Sequence, residues 1–417
     1  MRRLLNAAFA LFAAYSLILS AKRPLRPYLT VIGGVDMCDG LGRQSIELID
    51  AMKEKVSLNF IPTYIKNWTD VPKDLKKLAK GRKKRLGKVI VCEEPLQASY
   101  KKLKRPANRD QLRIAYSMLE STRIPAEWVK MLNTYFDAVA VPDRFLIEAY
   151  QLSGVTIPVF ELPLGRDFRQ FLESPLKQKR NIPFVFGNFS SGIGRKNLPL
   201  LIRAFYEAFG TRTDVRLVIN CRICEPSTHS QIEEELERAA GANISFTKLA
   251  LDNQAYLELL SSIDCFVSTS KGEGFSIQPR EAMAMGIPVI VADNTAQHTI
   301  CASGLVKSIP CPEEEPAFYE WYPRSSLGSF FSASQKDIAA ALIEMEEQYA
   351  SYLEKGPIAR KWAAQYHFDA LNPLYHTLIQ PEIVVLGSEN QIAVGCLTTN
   401  SKTLYKKYLR LTKASPQ

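Results

Sequence analysis

No histidine precedes His229 in this 417-residue chain, and the four present are His229, His298, His367 and His376. The eight cysteines are too few and too scattered for a disulfide scaffold. Cys221 and Cys224 form a CxxC, but no second pair lies at the spacing that would complete a zinc site. Cys265 falls within the apolar run 263–267, where it reads as a small hydrophobe in a strand. No metal or disulfide role is expected of any cysteine, and a reducing compartment suits them. Neither GxGxxG nor GK[ST] occurs, which excludes a dinucleotide fingerprint and a Walker loop. Long apolar runs are absent apart from 4–19, which Arg2 and Arg3 precede and Lys22, Arg23 and Arg26 follow. That run is shorter than the roughly 20 residues that span a bilayer and lacks a small-x-small cleavage site. Residues 1–26 therefore read as an uncleaved anchor or interfacial helix at the cytoplasmic face of a membrane. A cleaved signal peptide and a soluble cytoplasmic chain are the alternatives.

What is present is ordinary globular composition, 46% hydrophobic and 23% charged, which excludes disordered and fibrous classes. The net charge of +10 suits anionic small substrates or a phospholipid surface. Nucleic acid is not an expected partner, because no basic face is interleaved with aromatics. The basic segment 73–88 reads as a solvated face, with an anionic membrane contact as the functional alternative.

Apolar runs alternate with helical patterns along most of the chain. Strands are expected over 28–32, 56–61, 88–92, 112–116, 138–141 and 159–162, with helices over 125–134 and 144–152. A polar, basic, proline-bracketed stretch at 173–183 reads as a linker. A second series follows, with strands over 184–186, 215–220, 244–246, 265–268 and 288–292 and helices over 197–209, 231–240, 254–261 and 279–285. This is an α/β chain of two parallel-sheet halves, and open parallel sheets bind ligands at the carboxyl ends of their strands. The expected divisions are 27–175, 182–365, returning helices over 366–382, and an appendage over 383–417. Gly33, Gly34, Gly40 and Gly42 are read as surrounding a loop that either approaches a ligand or makes a tight turn.

The most informative stretch is Ser270-Lys-Gly-Glu-Gly-Phe-Ser-Ile-Gln-Pro-Arg-Glu-Ala-Met-Ala-Met-Gly-Ile-Pro-Val-Ile290. A strand ends before it, a glycine turn follows, and a helix begins near Pro279 and closes at Gly286. The helix N-terminus presents unsatisfied N–H groups and the positive dipole end, which suits a diphosphate or sugar hydroxyls. Glu273 sits in the turn and Glu281 in the helix, seven residues intervening.

This stretch resembles the E-x7-E signature of retaining glycosyltransferases of family four. Glu273, Gly274, Phe275, Glu281, Ala282, Met283, Ala284, Gly286, Pro288 and Val289 match it, with Ser276 in place of the commoner small residue. Phe186-Gly-Asn-Phe189 followed by Arg195-Lys-Asn-Leu198 is similar to the family's diphosphate-binding element. There Lys196 takes the expected lysine place, Asn188 stands where Arg is usual, and the adjacent Arg195 could supply the charge. Segments 120–128 and 141–145, and Leu162-Pro-Leu-Gly165, also resemble bacterial members.

The resemblance implies a GT-B architecture, two Rossmann-like domains facing a cleft. It implies Glu273 on the donor sugar and Glu281 on the nucleotide ribose. Lys196 and Arg195 would lie on the diphosphate, and Asn188, Gly274, Phe275 and Ser276 along the donor. The glycine loop, with Gly40 and Gly42, would cover the donor phosphates. Glu120 and Arg123 are expected on the acceptor side, Glu120 replacing a pocket histidine that many relatives carry. No metal is implied, and no cofactor beyond a UDP- or GDP-linked sugar. The expected reaction is retaining transfer to a glycan, lipopolysaccharide or lipid-linked acceptor. The rivals are an epimerase of the same architecture and a non-catalytic nucleotide-sugar or glycan-binding relative.

Overall fold

Short apolar runs between amphipathic helices are what sheets buried on both faces require. In the computed structural model of the chain they form two sheets of six parallel strands. The structure describes residues 28–35, 40–65, 71–80, 86–93, 103 and 111–377. The segments 1–26 and 383–417 therefore lie outside the described residues. Among the described residues no helix is long and apolar enough to cross a membrane.

The first domain runs β1 (Leu29–Val35), α1 (Gly40–Met52), β2 (Leu58–Ile65), α2 (Lys73–Lys80), β3 (Val89–Glu93) and β4 (Leu112–Tyr116). It continues with α3 (Ala126–Tyr135), β5 (Ala138–Val141), α4 (Phe145–Leu152), β6 (Val159–Glu161) and α5 (Arg169–Glu173). Its strand order is β2-β1-β3-β4-β5-β6.

The second domain runs β7 (Phe184–Asn188), α6 (Leu198–Phe209), β8 (Val215–Asn220), α7 (Pro226–Arg238), β9 (Ile244–Thr247) and α8 (Asn253–Ser262). Then come β10 (Cys265–Ser268), α9 (Ile277–Ala284), β11 (Val289–Asp293), α10 (Gln297–Cys301) and β12 (Lys307–Pro310), in the sheet order β12-β11-β10-β7-β8-β9. An antiparallel hairpin, β13 (Glu313–Pro316) and β14 (Ser329–Ser332), is added before α11 (Gln335–Glu347) and α12 (Tyr349–Glu354). Two last helices, α13 (Gly356–Ala364) and α14 (Phe368–Thr377), return to the first domain. There the Tyr375 hydroxyl accepts from Gly165 N at 2.9 Å and donates to Pro163 O at 2.8 Å.

Strand direction reverses its build-out beside β1 in one sheet and beside β7 in the other. Such switch points leave a crevice at the carboxyl ends of the strands. In the second sheet the crevice sets the turn after β7 against the turn after β10, and these turns hold Lys196 and Glu273.

The glycine loop differs from its sequence reading. Gly33 and Gly34 lie inside β1, and Gly40 and Gly42 lie inside α1. A Cβ on Gly33 would sit 2.1 Å from Ser45 Oγ, and one on Gly34 would sit 2.1 Å from the Tyr64 ring. Those two glycines are required by close packing of α1 and Tyr64 on the strand rather than by a ligand.

Candidate active site

The cleft between the domains holds a cavity of about 870 Å³, walled by both. Glu273 lies in it after β10, only 6% exposed. Its Oε2 is 3.0 Å from Arg195 Nη1, its Oε1 pairs with Lys196 Nζ, and Ser270 Oγ donates to Oε1 at 2.6 Å. Burial alone would raise the Glu273 pKa, but Lys196 and Arg195 outweigh it and hold the carboxyl at about 2. Lys196 is itself pulled below the usual ammonium value, by burial and by Arg195, against the attraction of Glu273. The site is therefore a buried carboxylate held ionised by two cations, one of which, Arg195, also pairs with Glu120.

Just beyond, Gly274, Phe275 and Ser276 line the cavity on the approach to α9, whose first-turn N–H groups have no helical partners. Ser276 carries a left-handed backbone, φ 63°, so the chain turns sharply into the helix. Arg280, fully buried one turn on, fixes that turn. Its Nη1 donates to the carbonyls of Phe275 and, at 3.0 Å, Ser276. Its guanidinium lies 4.0 Å from the Phe275 ring centroid and 4.6 Å from that of Tyr366. Cation–π contact of about 2 kcal/mol in desolvated settings offsets part of the cost of burying the charge.

Glu281 is 2% exposed and also lines the cavity. Its Oε1 accepts from Arg166 Nη2 at 2.6 Å and its Oε2 from the Tyr256 hydroxyl at 2.7 Å. Arg166, from the first domain, pairs in addition with Glu47 of α1. A carboxylate has about four lone-pair positions, so two donors leave room for ribose hydroxyls. Burial and Glu281 together push the Tyr256 phenol well up, keeping it a hydrogen-bond donor.

Asn188 lines the cavity, but its amide is committed, donating to Val267 O at 2.7 Å and accepting from Ser190 N at 3.0 Å. Glu120 faces the cavity from the first domain, 2.9 Å from Arg195 Nη2. Among the described residues, Arg123 and Gly42 do not line the cavity, and Arg43 and Gln44 of α1 do. Arg123 turns to the Thr122 carbonyl at 2.7 Å. His298 pairs with Asp293 at 2.8 Å and is also outside the lining.

Sequence reasoning missed Arg166, Tyr256 and Arg280. Arg166 follows the Leu162–Gly165 segment singled out at the domain junction, which was the signal available. Tyr256 lies on a helix legible only as amphipathic, and the partners of Arg280 come from other elements.

Two facing parallel-sheet domains, with the strand-end turns of both around one cleft, define the GT-B architecture of glycosyltransferases. Within it, residues 180–320 match the family model described as glycosyl transferases group 1. No curated protein matches the chain by sequence. Among solved structures, HepE from Anabaena, in complex with UDP and glucose, is 12% identical with a TM-score of 0.59, the match covering 85% of this chain and 100% of that one. Sucrose-phosphate synthase from Thermosynechococcus elongatus is 14% identical with a TM-score of 0.59, covering 94% and 100%. TarM of S. aureus is 14% identical with a TM-score of 0.53, covering 70% of this chain but only 54% of its own. At such identities these likenesses establish the fold.

Proposed function

We propose that the chain is a retaining, metal-independent hexosyltransferase. It moves a sugar from a UDP- or GDP-linked donor to a glycan, lipopolysaccharide or lipid-linked acceptor. The observation that carries this reading is Glu273, buried yet ionised between Arg195 and Lys196 in the interdomain cavity. The HepE and sucrose-phosphate synthase likenesses support it at the level of fold.

In this reading the donor ribose rests on Glu281, and the diphosphate lies between the α9 N-terminus and the two cations. As the glycosidic bond to the donor lengthens, negative charge grows on the leaving diphosphate. Preorganised N–H groups, Lys196 and Arg195 stabilise that charge more than they stabilise the bound donor. Glu273 accepts hydrogen bonds from donor-sugar hydroxyls and fixes the ring. The acceptor oxygen attacks from the face the diphosphate leaves, and its proton passes to a departing phosphate oxygen, so configuration is kept. Attachment to an anionic membrane surface, through residues 1–26 and the lysines of α2, belongs to the same proposal. Leu75 anchors α2 in the core while Lys73 and Lys77 are exposed.

The test is nucleoside diphosphate release from a panel of UDP- and GDP-sugars, with and without glycan and glycolipid acceptors. Acceptor-dependent release should fall about 10²–10³-fold in Glu273→Gln, the scale of losing one preorganised electrostatic contact. Proton NMR of the product should show the donor's anomeric configuration. Consumption of donor without any acceptor would favour the epimerase, and an inverted product would exclude retention.

A further inference from the structure

Two tryptophans, Trp128 and Trp321, are among the residues that line the cavity and have no place in the reaction proposed above. The 317–328 connection between β13 and β14 leaves the second domain, crosses the cleft and packs on the first. Leu327 is buried in the first domain's apolar cluster with Ile124 and Leu146. Ser329 N donates to Thr122 Oγ1 at 3.0 Å, and the Tyr322 hydroxyl donates to Glu127 Oε2 at 3.4 Å. At the tip Tyr322 N donates to Tyr319 O at 2.9 Å, closing a tight turn that carries Trp321 outward. The Trp321 ring lies parallel to that of Trp128 on α3, centroids 5.2 Å apart and planes 3° apart.

Both indoles line the same cavity as Glu273. Stacking on Trp128 covers one face of Trp321, yet Trp321 stays 53% exposed. The arm is tied to the catalytic turn as well. Tyr319 donates to Glu120 Oε2 at 3.3 Å, Glu120 pairs with Arg195 at 2.9 Å, and Lys271 pairs with Glu315 at 2.6 Å.

A strap that only held the domains together would bury its largest apolar side chain. With Trp128 stacked on it and Tyr319 and Tyr322 tilted against it, Trp321 still exposes more than half of its surface while lining the cavity, and exposed indole surface is flat and weakly negative. A pyranose ring complements it, with polarised C–H groups on one face and hydroxyls at the edge. Glu120, which lines the same cavity and accepts from Tyr319 of the arm, can also accept from those hydroxyls.

We infer that Trp321 and Trp128, with Glu120 in the same cavity, form a subsite for a neutral pyranose ring of the acceptor. Naming that sugar the acceptor rests on the transferase reading above; the stacking surface itself does not.

Saturation-transfer NMR on the full chain, saturated with UDP or GDP, tests it with the methyl glycosides of glucose, galactose, mannose and N-acetylglucosamine. At least one glycoside should receive saturation on its ring C–H protons. That signal should fall at least fivefold in Trp321→Ala and largely persist in Trp321→Tyr, with nucleotide affinity within twofold in both. Should the alanine variant free the arm, Trp321→Leu keeps apolar packing on Trp128 without the ring face and carries the same expectation. A nucleotide-bound chain that gives no glycoside signal, or one indifferent to Trp321, overturns the subsite. Displacement of the glycoside by UDP-glucose but not by UDP also overturns it, because the sugar would then occupy the donor's own pocket. Trp321-dependent glycoside binding in a chain that binds no nucleotide would sink the transferase reading and leave the subsite standing.

Discussion

Glu273 couples the chemistry of the site to the stability of the protein. Its carboxyl is held at about 2 against an ordinary value of 4.5 because Arg195 and Lys196 outweigh the burial that would raise it. A carboxyl depressed in the folded state stabilises that state above its unfolded pKa, and the contribution disappears as pH falls through the folded one. Wild type should therefore exceed Glu273→Gln in stability at neutral pH, and urea midpoints should converge between about pH 4.5 and 2. Midpoints that stay parallel across that window would show that the ion pairs do not form in solution. That Glu273 and Glu281 share the cavity was legible in the sequence because their placement depends on local spacing around a turn and a helix start. Arg166 and Arg280 were not, since each is defined by partners far away in the chain, Glu47 and Glu281 for one, Tyr366 for the other.

At the scale of elements, α9 points its N-terminus into the cavity where the proposed diphosphate would lie, and Arg280 shapes the turn that leads into it. Relief from burying a lone guanidinium offsets part of the about 1–3 kcal/mol cost of leaving the Phe275 and Ser276 carbonyls without a donor. Arg280→Leu should accordingly keep the melting temperature within a few degrees. The carbonyls of Phe275 and Ser276 would lose their donor, and nucleotide binding should weaken about tenfold, which is one hydrogen bond's worth. Calorimetric titration reads both the affinity and the integrity of the fold, and undiminished affinity would remove Arg280 from the site. The strands were read well from sequence because continuous apolar runs have few other meanings in an alternating chain. β4, β8 and β10 fall on 112–116, 215–220 and 265–268 as expected. Element starts were less legible: α9 begins at Ile277 rather than near Pro279, and α1 already includes Gly40 and Gly42. The hairpin of β13 and β14 went unread, because its charged first strand, Glu313–Pro316, has no apolar alternation.

Across the whole molecule, the two domains touch where their strand-end turns meet. A Cβ on Gly272 would lie 2.2 Å from Glu120 O, a backbone atom with nowhere to retreat. Gly272→Ala should push the turns apart, breaking the Glu120–Arg195 bridge, and turnover should fall while each domain stays folded. Small-angle scattering should record a larger radius of gyration, whereas an unchanged radius with full activity would mean the contact is dispensable. The returning α14 fastens the domains from behind through Tyr375. Tyr375→Phe strands Gly165 N and Pro163 O without a partner and should cost about 1–3 kcal/mol in chemical denaturation.

The central claim is a nucleotide-sugar site built on Glu273 and Glu281, and nucleotide binding by the full chain tests it most directly. Thermal unfolding would be followed with UDP, GDP and ADP at increasing concentration, in wild type and in Glu281→Ala. Binding to the folded state at a hundredfold excess over Kd adds about 2.7 kcal/mol, enough to raise the melting temperature by several degrees. The account predicts such a rise with UDP or GDP and its loss in the variant. A cooperatively melting protein that none of the three nucleotides stabilises, or an equal rise in Glu281→Ala, would contradict it.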